Sequence, residues 1–291
     1  MKTNFHTHTY RCGHAVGNEE TMVKSAINNN IEILGFSDHV PLPRYRLHII
    51  KGMRYAILEI RAFLVACKTL ITNGPSMRMP YKSRFEHQKI VKLLQMKYKD
   101  QITIYQGYEA EYFKEYLPYY QSLLDNHEVD YLSLGNHFNK YSVHNRYYGN
   151  VKISDEMIIQ YKNNVIDAIE SNLFSYIAHP DLFMIGKVYF DDLCKEVTYE
   201  ICNKAKEYDI PLEINAGGMR RGRRKVNDEM LYPYPNDHFF EIVSEVGNKV
   251  VLGIDGHSPD DFNDQAFDEL NKFAQRFNLN VVDTFEFKKG K

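Results

Sequence analysis

The chain has 291 residues, 44% hydrophobic and 25% charged, a composition that suits a globular protein with a substantial core. Lys and Arg number 36 against 38 Asp and Glu, a formal charge of −2, so no global field draws it to nucleic acid or to an anionic membrane. Its four cysteines (Cys12, Cys67, Cys194 and Cys202) lack metal-finger spacing and no apolar leader precedes them, which reads as free thiols in a cytoplasmic protein.

The first apolar run, Asn4–Phe5, predicts a buried strand that leads into His6-Thr7-His8. Residues two apart on extended backbone point to one side, so both imidazoles can hold one cation. His14 follows in Arg11-Cys12-Gly13-His14, where Gly13 permits a tight turn. Helical periodicity over Glu19–Asn29 leads to a second strand, Ile31–Phe36, and then to Ser37-Asp38-His39. There Asp38 either orients an imidazole or caps the loop.

Residues 40–101 form an insertion about twice as long as a crossover needs. It predicts an amphipathic helix over about 49–72, too often interrupted by charge to span a membrane, and a loop Ser76-Met77-Arg78-Met79-Pro80. Placed after a strand end, the insertion would cover the mouth of a site. A helix over Arg84–Lys99 precedes a third strand, Ile102–Gln106, and the motif Gly107-Tyr108-Glu109-Ala110-Glu111-Tyr112. Spacing does not choose between the two carboxylates.

The fourth and fifth strands, Tyr131–Leu134 and Tyr176–Ala178, end in Asn136-His137 and in His179-Pro180-Asp181. Helices are predicted over Asp155–Asn172, Asp192–Tyr208, Asp237–Val246 and Asp260–Phe277, with Asp155 and Asp237 at N-cap positions. The strand Pro211–Ile214 carries Glu213, and Val250–Ile254 runs into Asp255-Gly256-His257, again an acid and a histidine on one side.

Strand followed by helix, seven times, predicts a parallel sheet. An open sheet gathers function at one switch point, whereas a barrel turns every strand's C-terminal end toward one centre. Polar residues end nearly every strand here, so the expectation is an α/β fold, a distorted (β/α)7 TIM-like barrel, as a single domain over 1–291. Seven histidines and two acids exceed what one cation binds. Closely spaced cations activate water and clamp phosphate oxygens, the chemistry of phosphoester hydrolysis. Cationic candidates for the phosphate are Arg44, Arg78, Lys187 and Arg220, while Arg223 to Lys225 read as solvated surface.

The ordered set H-x-H, G-H, S-D-H, G-x-E, H-F, A-H-P-D, E-x-N and G-x-D-x-H resembles the PHP (polymerase and histidinol phosphatase) superfamily along essentially the whole chain. Cys12-Gly13-His14, Ser76-Met77-Arg78-Met79, Gly107-Tyr108-Glu109-Ala110-Glu111-Tyr112 and Tyr234-Pro235 are similar to its histidinol-phosphate phosphatase branch. The resemblance implies three divalent metals, drawn from zinc, iron and manganese. It implies His6, His8, Glu109 and Asp255 on the first, Glu109 bridging to a second on His137 and His179, and His14, His39 and His257 on the third. The family's usual D-A-H is Asp255-Gly256-His257 here.

The implied activity is hydrolysis of L-histidinol phosphate to histidinol and phosphate, with water activated at the metals. Alternatives are another small or macromolecular phosphoester within the same fold, or a metal-binding module without turnover. The expected partner is a small-molecule phosphate ester, with neither nucleic acid nor membrane, and homo-oligomerisation is left open.

Overall fold

Short runs of apolar residues separated by amphipathic helices produce one curled parallel sheet. The computed structural model describes residues 2–43, 77–141, 145–149 and 152–290. In chain order the elements are β1 (Thr3–Asn4), α1 (Glu19–Asn28), β2 (Ile33–Phe36), α2 (Arg84–Lys97), β3 (Thr103–Ala110), α3 (Leu117–Asp125), β4 (Tyr131–Leu134), α4 (Asp155–Ser171) and β5 (Tyr176–Ile177). Then follow α5 (Asp192–Glu207), β6 (Leu212–Asn215), the short α6 (Ala216–Met219), the hairpin β7 (Arg224–Val226) and β8 (Glu229–Leu231), α7 (Asp237–Val246), β9 (Lys249–Gly253), α8 (Asp264–Arg276) and β10 (Asn280–Val281).

The sheet order is β1-β2-β3-β4-β5-β6-β9-β10, parallel throughout. Every residue of β2, β4 and β6 is buried, as expected of parallel strands covered on both faces. Past the strand ends the sheet closes on itself. His8 N–H donates to Gly256 O at 2.8 Å, and Gly256 N–H donates to His6 O at 3.1 Å. That closure draws the first and last metal motifs of the chain together.

The opposite mouth is plugged by aromatics. Phe285 and Phe287, from the tail after β10, pack on Phe5, Tyr105, Tyr131 and Tyr176. Tyr131 also donates its hydroxyl to Phe5 O at 2.6 Å.

The helix starts follow side-chain capping, one residue earlier than expected at two sites. Ser154 and Asn236, rather than Asp155 and Asp237, accept from the first-turn N–H groups, and the aspartates occupy the first turn instead. Serine and asparagine reach those N–H groups equally well, and the adjacent acids favour the helix N-terminus by their charge. Of the expected insertion, Arg44, the helix over about 49–72 and Ser76 lie outside the described residues. None of the helices among the described residues is long and apolar enough to cross a membrane. The cysteines Cys12, Cys194 and Cys202 are free and buried.

Candidate metal centre

Glu109 ends β3 inside the sheet's C-terminal opening, and its two oxygens face different histidines. Oε1 lies 2.9 Å from His179 Nε2 and 3.4 Å from His137 Nε2. Oε2 lies 3.1 Å from His39 Nδ1, 3.5 Å from His8 Nε2 and 3.6 Å from His6 Nε2. One neighbour makes room for this carboxylate. Glycine at 135 leaves the volume that its side chain fills, since a Cβ there would stand 2.1 Å from Oε1. Burial opposes ionisation of Glu109, but the imidazoles of His137, His39 and His6 hold its carboxyl well below the usual range.

A second carboxylate, Asp255, joins the same point. Its Oδ1 is 3.4 Å from His6 Nε2 and 3.5 Å from His8 Nε2, and those two nitrogens are 3.1 Å apart. Donors bound about 2.1 Å from one cation stand about 3.0 Å apart at a right angle and about 3.4 Å apart at the tetrahedral angle. The separations of His6 and His8 Nε2 from each other, from Glu109 Oε2 and from Asp255 Oδ1 fall between 3.1 and 3.6 Å. The donor set therefore fits a divalent ion, and imidazole mixed with carboxylate suits zinc, iron or manganese.

The backbone is bent to achieve this. His179 and Asp255 adopt left-handed conformations, φ 31° and 51°, which cost a non-glycine residue roughly 1–3 kcal/mol. Asp255 and His257 thus sit beyond the end of β9 rather than on a continuing strand, and it is the left-handed turn that brings Asp255 to His6 and His8.

Hydrogen bonds on the far ring nitrogens set which nitrogen faces inward. Glu213 Oε1 lies 2.8 Å from His6 Nδ1, the backbone O of Asp255 lies 3.0 Å from His257 Nδ1, and the backbone O of Cys12 lies 3.3 Å from His14 Nδ1. An Nδ1–H donating outward leaves Nε2 with its lone pair toward the centre. Glu213 also accepts from the His179 backbone N–H at 3.0 Å and from Asn215 Nδ2 at 2.8 Å. Its importance was readable only as an acid within an apolar strand. Burial disfavours a charged His6, yet Glu213, Asp255 and Glu109 raise its pKa well above the ordinary value. In His8, burial and the neighbouring His257 push it down to about 3.

The trio His14, His39 and His257 is brought together only in part. The Nε2 atoms of His14 and His257 are 2.9 Å apart, and His39 stacks on His14 with ring centroids 5.2 Å apart. His39 Nδ1, however, faces Glu109. Glu111, the carboxylate that spacing left open, is ion-paired with Arg78 and lies 3.5 Å from His137 Nδ1, in one group with His39 and His137. It steadies an imidazole from behind.

The cationic candidates separate clearly. Arg78 is buried against Glu111 and donates to Val40 O at 3.2 Å. Arg220 donates to the backbone O of Ile254 (2.9 Å) and of Asp255 (2.6 Å), fastening the loop that carries Asp255 and His257. Lys187 is paired with Asp191, the N-cap of α5, at 2.6 Å and with Asp155, in the first turn of α4, at 2.9 Å. The missed cation is Arg221, which lines a pocket of about 440 Å³ beside Asp255, His257, His14 and Tyr234 and donates to the Tyr234 hydroxyl at 3.3 Å. In sequence it was hidden inside a basic run.

The family model described as "PHP domain" matches residues 4–217. The chain belongs to the PHP domain family. Asp255 and His257 lie beyond the matched PHP residues, and barrel closure is what adds them to the centre. Among relatives, a Deinococcus radiodurans protein named "Probable histidinol-phosphatase" is 23% identical over 269 residues, covering 87% of this chain and 85% of its own. Lactococcus lactis histidinol phosphate phosphatase, solved with zinc, L-histidinol and phosphate, superposes with a TM-score of 0.65 at 16% identity, covering 98% of this chain and 97% of its own. Listeria monocytogenes HisK gives the same TM-score at 20% identity, covering 89% and 97%. Both superpositions agree with the curled PHP barrel seen here.

Proposed function

We propose that this PHP protein is a metal-dependent phosphomonoesterase that hydrolyses L-histidinol phosphate to L-histidinol and phosphate. The observation that carries the reading is Glu109, whose two oxygens serve two sets of imidazoles, with Asp255 completing the set around His6 and His8. A bridging carboxylate is what a site of closely spaced cations requires. The name of the Deinococcus relative and the ligands of the Lactococcus structure point to the substrate.

Three divalent ions are assigned: one on His6, His8, Glu109 and Asp255, one on Glu109, His137 and His179, and one on His14, His39 and His257. When bound, such ions supply Lewis acidity toward water and toward the phosphate oxygens. The chain's own residues supply the rest. Glu213, Glu111 and the backbone O atoms of Cys12 and Asp255 fix the rings, so little reorganisation is needed as charge develops. Arg221 adds a guanidinium fork at the pocket wall, the geometry that grips phosphate, while Arg220 holds the Asp255 loop in place. The whole chain is taken as one PHP barrel domain with its insertion at about 40–101.

The test is phosphate release by the metal-loaded protein from a panel of L-histidinol phosphate, a phosphotyrosine peptide and a nucleoside monophosphate. Preference for histidinol phosphate is the expected result. Turnover confined to the peptide or the nucleotide overturns the substrate, and no turnover with any of them overturns the enzyme.

A further inference from the structure

Behind the metal centre lies a second charged cluster that the proposed reaction does not use. Glu19 on α1, His87 on α2 and Asp38 after β2 are each almost completely buried. His87 Nδ1 lies 2.8 Å from Glu19 Oε1, and its Nε2, which has no hydrogen-bond partner among the described residues, stands 3.7 Å from Asp38 Oδ2. Arg11 Nε donates to the same Glu19 oxygen at 2.5 Å. Asp38 accepts from the Thr9 backbone N–H at 2.8 Å and from the Thr9 hydroxyl at 2.9 Å. Phe36 and Tyr108 wall the imidazole on two sides.

Burying two carboxylates, a guanidinium and an imidazole costs more than an apolar packing of the same volume would. The cluster holds fixed what an apolar contact would leave free to slide. Three of its residues stand beside the assigned metal ligands: Thr9 follows His8, Asp38 precedes His39, and Arg11 begins the short loop to His14. We infer that His87 is a positioning residue for the metal centre, bonded to Glu19 and set against Asp38 so that α1 and α2 brace the loops carrying His8, His14 and His39. The inference rests on the metal-centre reading above. His87 touches neither substrate nor metal in it. Its effect passes through Asp38 and Thr9, and it acts on the ions nearest His8, His14 and His39 rather than on the pair His137 and His179 across the opening.

The experiment compares wild type with His87→Phe, which keeps a ring and removes both polar edges. Each is loaded with manganese, desalted, and assayed for bound metal during titration with a competing chelator. The expected result is 10- to 100-fold weaker retention of part of the bound metal, the usual effect of losing a partner behind a ligand, with the remainder held as in wild type. His87→Gln, which can still donate to a carboxylate, should recover part of the loss. Thr9→Val serves as the second variant should His87→Phe fail to fold, because it removes the hydroxyl donor to Asp38 at the cost of one long 3.3 Å acceptor contact to the Arg11 backbone N–H, and it should weaken the same fraction. Retention identical to wild type in a folded His87→Phe or Thr9→Val protein overturns the brace while leaving the centre standing. A wild-type protein that retains no metal overturns both.

Discussion

A single methyl group at position 135 should disable the centre. Gly135 does not need a left-handed backbone, so alanine is conformationally acceptable there, and only the space taken by its Cβ matters. That Cβ would lie 2.1 Å from Glu109 Oε1, whereas ordinary contact begins at 3.4 Å, so the carboxylate must retreat by about 1.3 Å. Oε1 is the atom that faces His137 and His179. Overpacking of this kind costs about 1–3 kcal/mol of stability. A displacement near 1 Å of a group that sets reacting geometry costs roughly 100-fold in rate. Gly135→Ala should therefore unfold only somewhat earlier than wild type, yet lose about 100-fold in kcat/KM for phosphate release and retain less metal. A folded Gly135→Ala protein with wild-type kcat/KM and metal content would refute the claim that Glu109 is held there by packing and serves both sets of imidazoles.

Arg221→Ala should lower kcat/KM by about 10- to 100-fold, the value of a charged hydrogen bond, chiefly through KM, whereas Lys187→Ala should stay within about twofold in the same assay. Removal of residues 283–291 strips Phe285 and Phe287 from the closed end of the barrel and should cost about 3 kcal/mol, read as a fall in the denaturant midpoint. Burial alone would raise the Glu19 pKa, but its bonds to His87 and Arg11 depress it to about 2. A depressed carboxylate stabilises the fold above its unfolded value and loses that contribution as pH falls through the window from about 4.5 to about 2. Urea titrations should accordingly show wild type losing stability across that range and Glu19→Gln losing less of it.

Much of this was legible before any coordinates, for a physical reason. Parallel strands of a barrel are short apolar runs that end at one opening, so a polar residue directly after such a run is already located in space. That logic placed His6, His137 and His179 without knowledge of any contact, but it left Glu109 and Glu111 open, and the family resemblance made that choice. It weakened wherever direction depended on backbone turns or on long-range partners. The left-handed Asp255 is not encoded by a glycine, so its approach to His6 could not be read from the spacing of Asp255 and His257. Arg221 and Arg220 are adjacent, chemically alike and both on the pocket wall, and only the carbonyls of Ile254 and Asp255, more than thirty residues away, single out Arg220 as the fastening arginine. His87 carries no signal in its own segment, because its neighbours Glu19 and Asp38 come from other elements. The aromatic plug was missed because Phe285 and Phe287 follow the last helix in a segment with no periodicity of its own.

The central claim is that residues from His6 to His257 form one multinuclear centre, and the most direct measurement is metal stoichiometry. Purified protein loaded with manganese or zinc, desalted and assayed by mass spectrometry against protein concentration should carry about three ions per chain, and Glu109→Ala should lose more than one of them together. A wild-type value of one or zero, or a Glu109→Ala protein that keeps all but one ion, would contradict it.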